Sequence, residues 1–105
     1  MPLREFEQAV LLAMLALEEA HPRLIRDEIE RRTGRIASRA AVFITLERLE
    51  AKDLVTSRFG DPTPIRGGRA KRLFRATAGG KRAAIQSVRH MAALSAGLTK
   101  PVASK

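Results

Sequence analysis

The chain has 105 residues, no cysteine and a formal net charge of +9. That length holds one domain with at most an appended helix, and the missing thiols exclude disulfides, thiolate nucleophiles and cysteine metal sites. The charge is also unevenly placed: residues 1–53 carry nine Lys/Arg against ten Asp/Glu, net −1, whereas residues 54–105 carry eleven against one, net +10.

The first periodic segment runs from Leu3 to Ala20. Phe6, Val10, Leu11, Met14, Leu15 and Leu17 keep helical spacing, while Ala9, Leu12, Ala13 and Ala16 fill the other faces. A helix apolar nearly all round must be covered on more than one side. One side can face the core and another, formed by Phe6, Val10, Leu11 and Met14, a partner subunit. The nine-residue apolar run Ala9–Leu17 is about half the roughly 20 residues that span a bilayer. Acidic residues flank it on both sides with no small-residue cleavage pattern, so no membrane partner and a soluble, cytoplasmic chain are expected.

Pro22 breaks the pattern and suits a helix start. The second helix is predicted over Leu24–Arg32, with Leu24, Ile25 and Ile29 buried and Arg23, Arg26, Asp27, Glu28 and Glu30 outward. Gly34 can end it in a left-handed conformation. After a short extended link, Ser38 is placed to cap a third helix whose inner face is Val42, Leu46 and Leu49. Phe43 lies between faces and suits either the core or a groove edge. Leu54–Phe59 and Arg69–Ala76 read as antiparallel strands. The intervening GDPTPIRGG segment, residues 60–68, rejects helix and central strand alike and marks an extended hairpin tip. Thr77 caps a last helix, Ala78–Gly97, with the stripe Ala84, Val88, Met91, Ser95 and Leu98 flanked by Ile85, Ala92 and Leu94.

The fold class implied is mostly α with a small β-hairpin: a winged helix-turn-helix over residues 1–77, a C-terminal dimerisation helix over 78–98 and a flexible tail over 99–105. In a helix-turn-helix the second helix of the pair enters the major groove, N-terminal residues nearest the bases. Here that gives Ser38, Arg39, Ala40, Phe43, Thr45 and Arg48. Arg39 can meet a phosphate or a guanine edge, and the alanines and Thr45 can pack on thymine methyls. Arg66, Arg69 and Lys71 of the hairpin can reach the flanking backbone. A solvated basic surface is the alternative for all of these bases, and an intrahelical pair with Glu47 or Glu50 is the alternative for Arg48.

Catalysis is not expected. His21 and His90 are far apart in sequence, neither has metal-ligand spacing, and most of the acids have bases nearby in helices. No cofactor and no metal are expected. A nonspecific nucleic-acid binder of nucleoid type, or a protein-interaction module, is the competing reading. The neutral, cappable third helix directly before the wing favours sequence-specific binding to double-stranded DNA.

The segments SRAAVFITLERLEAKDLV (38–55), PTPIRGGRAKR (62–72) and RATAGG (75–80) resemble the PadR family of transcriptional regulators, over roughly residues 3–98. The resemblance implies a homodimer in which the C-terminal helix, through Val88, Met91, Leu94, Ser95 and Leu98, meets the first helix of the partner. It also implies repression at a palindromic promoter site, often beside the regulator's own gene, in the short form with one C-terminal helix. Any small-molecule effector would sit at the dimer interface. The chain departs from the family pattern in having Phe43 where Tyr is usual, His21–Ile25 where a Gly-Tyr element is usual, and Leu73-Phe74 where an aromatic pair is usual.

Overall fold

Helix α1 (Glu5–Leu17) is the centre of the molecule and packs on every other helix and on the sheet. The computed structural model describes residues 3–60 and 71–98. After α1 come the two-residue strand β1 (Glu19–Ala20), α2 (Pro22–Thr33), α3 (Arg39–Ala51), β2 (Val55–Phe59), β3 (Arg72–Ala76) and α4 (Ala78–Leu94). The architecture is mostly helical with a small antiparallel sheet in the order β1-β3-β2, so the winged helix-turn-helix expected from the sequence is present. The flexible tail expected over 99–105 lies outside the described residues.

The nearly all-round apolarity of α1 has an internal explanation. Val10, Leu11 and Met14 are 0%, 0% and 1% exposed and join Ile25, Leu46, Leu49 and Phe74 in one core. Assigning these three to a partner's surface is therefore corrected: their area is already removed from water within one protomer. Phe6 is partly buried against the same core.

Element ends follow local chemistry. Helix α1 stops three residues before the predicted end, because Glu18 turns the chain at φ 71 and ψ −81. The chain then enters β1, whose Glu19 and Ala20 pair with Arg75 and Phe74; two residues leave no alternation to read in the sequence. Pro22 occupies the first turn of α2, where its missing N–H costs nothing. The buried stripe of α2 is rotated from the expected one: Pro22, Ile25, Glu28 and Ile29 face inward, while Leu24 is 53% exposed. Glu28 tolerates this place because Arg31 and Arg32 both pair with its carboxylate. Gly34 ends α2 at φ 75, as expected.

Glu7 is the other buried acid, at 2% exposure. Burial pushes its pKa up, but the Arg4 backbone N–H at 3.0 Å and the Lys52 ammonium at 3.0 Å outweigh that, leaving it below its ordinary value of 4.5. A folded-state pKa below the unfolded one contributes stability above the unfolded value, which is lost as pH falls through the folded value. The thermal midpoint is thus expected to fall as pH is lowered from about 6 to about 3. Glu7→Gln should lower the midpoint at the upper end and flatten this dependence. Calorimetry across the range checks both, and an unchanged slope would contradict the assignment.

Helix α4 leaves the body. Only Gly80 and Ala84 are buried along it, whereas Ile85, Val88, Met91, Leu94 and Leu98 are 48%, 43%, 53%, 79% and 81% exposed. The radius of gyration is 16.2 Å, with extents of 62 × 27 × 19 Å, against about 13 Å for a globule of about 100 residues. The helix ends at Leu94, short of the predicted Gly97, with Ser95 returning its hydroxyl to the Met91 carbonyl at 2.7 Å.

Candidate nucleic-acid interface

The α2–α3 pair is built as a helix-turn-helix requires. Ser38 caps α3, its Oγ accepting the Ala41 N–H at 3.0 Å, so the free N–H groups of the first turn point at solvent. Val42, Thr45, Leu46 and Leu49 are buried and fix the inner face of α3. This corrects Thr45, expected outward but only 6% exposed. Its spacing from Val42 and Leu49 completes an inward stripe, and the methyl of a threonine packs well enough to be there. The outward face is Arg39, Ala40, Ala41, Ile44, Glu47 and Arg48. Ile44, 50% exposed, was not anticipated, although the spacing that buries Thr45 also turns Ile44 out.

Phe43 is half-buried. Its ring meets Phe74 edge-on at 6.2 Å between centroids, so it belongs to the joint between α3 and the sheet. Lys71 is exposed immediately before β3, while Arg66 and Arg69 lie outside the described residues.

The bases divide into engaged and free. Arg26, Arg31, Arg32, Arg35, Arg58 and Arg72 each have a carboxylate partner. Among the described residues, four exposed bases of α2, α3 and the root of the wing, Arg23, Arg39, Arg48 and Lys71, have no ion pair, as is also true of Arg4, Arg75, Lys81, Arg82 and Arg89 elsewhere. Three of the four converge on His21, which caps α2 by accepting the Arg23 N–H on Nδ1 at 3.1 Å. Burial depresses the His21 pKa, and the charges of Lys71, Arg39 and Arg23 depress it further. The imidazole stays neutral, as its cap requires, at a point where α2, α3 and the wing each contribute uncompensated positive charge. Sequence reasoning missed this centre, because residues 21, 23, 39 and 71 come together only in the fold.

No group of three or more His, Asp or Glu able to hold a metal ion occurs among the described residues, and no described helix is long and apolar enough to cross a membrane. His21 is committed to capping and His90 lies exposed on α4.

A three-helix body, a capped α3 with an exposed face and the antiparallel strand pair that follows it define a winged-helix protein of the transcriptional-regulator class. The chain belongs to the transcriptional regulator PadR-like family, whose model matches residues 11–86. Its members are regulators, not enzymes. Among proteins of curated function none matches the sequence. Solved structures share the fold at low identity. PadR of Bacillus subtilis in complex with operator DNA is 18% identical, with a TM-score of 0.70 over 83% of this chain and 48% of that one. A PadR family regulator from Eggerthella lenta is 18% identical, with a TM-score of 0.71 over 96% and 88%. A PadR-like regulator from Bacillus cereus is 13% identical, with a TM-score of 0.71 over 89% and 86%. The chain therefore spans about half the length of the Bacillus subtilis protein.

Proposed function

We propose that the protein is a sequence-specific DNA-binding repressor that acts as a homodimer on a palindromic promoter site. The observation that carries this reading is the convergence on His21 of unpaired Arg23, Lys71 and Arg39, the last in the first turn of α3, beside an outward α3 face of mixed character. Phosphates bind bases and free helix N–H groups in this arrangement. Ser38 sets the first turn of α3, and Arg39 and Arg48 bracket the small apolar surface of Ala40, Ala41 and Ile44. Such a surface suits thymine methyls, while the two arginines supply phosphate or guanine contacts. Arg66, Arg69 and Lys71 of the wing hold the flanking backbone. The operator complex of the Bacillus subtilis relative supports DNA as the ligand of this fold.

The dimer is proposed through α4, with Val88, Met91, Leu94, Ser95 and Leu98 against the partner. On α1 the contact surface is reduced, of the expected residues, to the partly buried Phe6. An effector would occupy the groove between α1 and α4, about 420 Å³ and lined by residues including Leu3, Gln8, Gln86, His90 and Met91. Its polar groups suit a small molecule with hydrogen-bonding groups.

Footprinting on the region upstream of its own gene tests the proposal. Two protected segments related by a two-fold axis are expected, their centres about one helical turn or a multiple of it apart. Uniform protection along the duplex would instead mark a nonspecific binder.

A further inference from the structure

Arg72 sits inside the basic cluster of the wing, yet its surroundings separate it from the other bases. Its side chain is 28% exposed. Nη2 donates to Glu50 Oε1 at 2.8 Å and Nε donates to Ser57 Oγ at 3.2 Å, while Nη1 lies 3.6 Å from Glu47 Oε2. Ser57 in turn donates its hydroxyl to Glu50 Oε2 at 2.8 Å. The guanidinium carbon lies 5.5 Å from the centre of the Phe43 ring and 4.9 Å from that of Phe74.

One side chain of β3 thus touches α3 through Glu50, Glu47 and Phe43, and β2 through Ser57. We propose that Arg72 is a positioning residue, which locks the root of the wing to α3 and so sets the distance between the recognition surface and the wing bases. The planar fork supplies this: it can satisfy the carboxylate and the hydroxyl while stacking on aromatic faces, which a lysine ammonium cannot. The guanidinium's charge is already matched by Glu50 and Glu47, and Nε and Nη2 are engaged, so less of it is left for a phosphate than at an unpaired arginine. Phe43 takes part as the ring on which the guanidinium rests, a role that needs no phenol hydroxyl.

This inference rests on the DNA-binding reading, and its test separates the two. Arg72→Met and Glu50→Gln are compared with wild type on an upstream-region duplex and on a shuffled duplex, across a salt series. A positioning role predicts that both variants lose about tenfold in specific affinity. It also predicts that Arg72→Met keeps the wild-type slope of log affinity against log salt. Glu50→Gln is the sharper arm, since removing an acid near DNA should tighten binding if bulk charge were all that mattered.

A phosphate-contacting Arg72 would instead reduce the slope by about 0.9. It would also weaken binding to the shuffled duplex and leave Glu50→Gln binding as well as wild type or better; that pattern overturns the proposal, as does wild-type affinity in both variants. Arg72→Lys, which keeps the charge, should fail to restore specific affinity. Thermal melts of the two single variants and the double variant read the clamp without DNA. A double variant shifted by less than the two single shifts together supports the lock even if wild type binds no duplex, and additive shifts overturn it.

Discussion

Gly80→Ala is expected to lower the thermal midpoint by roughly 10–20 °C, although alanine is the better helix former. A Cβ built at Gly80 would lie 2.0 Å from the Leu54 carbonyl oxygen and 3.0 Å from its carbon, both backbone atoms. Neither can turn aside. The Leu54 carbonyl already accepts the Thr77 N–H at 3.0 Å. Thr77 Oγ1 also donates to the Asp53 carbonyl at 2.8 Å and accepts the Gly80 N–H at 3.0 Å. The first turn of α4 is therefore pressed onto the turn between α3 and β2, and a methyl group would force the two apart. Helix propensity favours the alanine by about 1 kcal/mol at most; overpacking against fixed backbone costs about 1–3 kcal/mol or more. The steric cost wins. Gly79→Ala is the control, since its Cβ would meet nothing closer than 3.7 Å and should leave the midpoint unchanged or slightly higher. Equal midpoints for the two variants would contradict this account of the joint.

The second large effect is on association. Val88→Glu with Met91→Glu is expected to convert the proposed dimer to a monomer, raising the dissociation constant at least about 100-fold. Both residues lie on the exposed stretch of α4, outside the protomer core, so the melting of the monomer should change little. Sedimentation velocity over a concentration series reads the first part and far-UV circular dichroism the second. A double variant that still sediments as the wild-type dimer would place the interface elsewhere. If one dimer holds two half-sites, as proposed, the same variant should also lose most of its affinity for a two-fold site while keeping its weak affinity for any duplex.

Much of the fold is legible in the sequence because its punctuation is chemical. Pro22, Gly34, Ser38 and Thr77 start or stop helices through a missing donor, a left-handed φ or a capping oxygen, all of which are local. Helical periodicity also places Val42, Leu46 and Leu49 correctly. What fails depends on partners distant in sequence. The apolar faces of α1 read as evidence for a second subunit, yet α2, α3, α4 and β3 of the same chain cover them. The case for association therefore moves to α4, whose apolar residues stay exposed. Thr45 lies inward, against expectation, because its spacing from Val42 and Leu49 outweighs its hydroxyl. Glu28 and Leu24 exchange places because two exposed arginines, Arg31 and Arg32, neutralise the buried acid from the surface.

The candidate site was half legible. Arg39, Arg48 and Lys71 are exposed and unpaired among the described residues, while Arg72, from the same run of bases, is consumed by Glu50 and Ser57. A count of charges cannot make that distinction, since it turns on which bases already have acids. His21 likewise carries no signal in the sequence, and becomes informative only beside Arg39 and Lys71.

The central claim is that this surface reads sequence, beyond holding phosphate. Fluorescence anisotropy with the upstream-region duplex and a shuffled duplex of the same composition, at about 50 mM and about 200 mM salt, tests it most directly. At least about 1,000-fold tighter binding to the upstream duplex is expected, with both affinities falling as salt rises. Equal affinity for the two duplexes at both salt concentrations would contradict it.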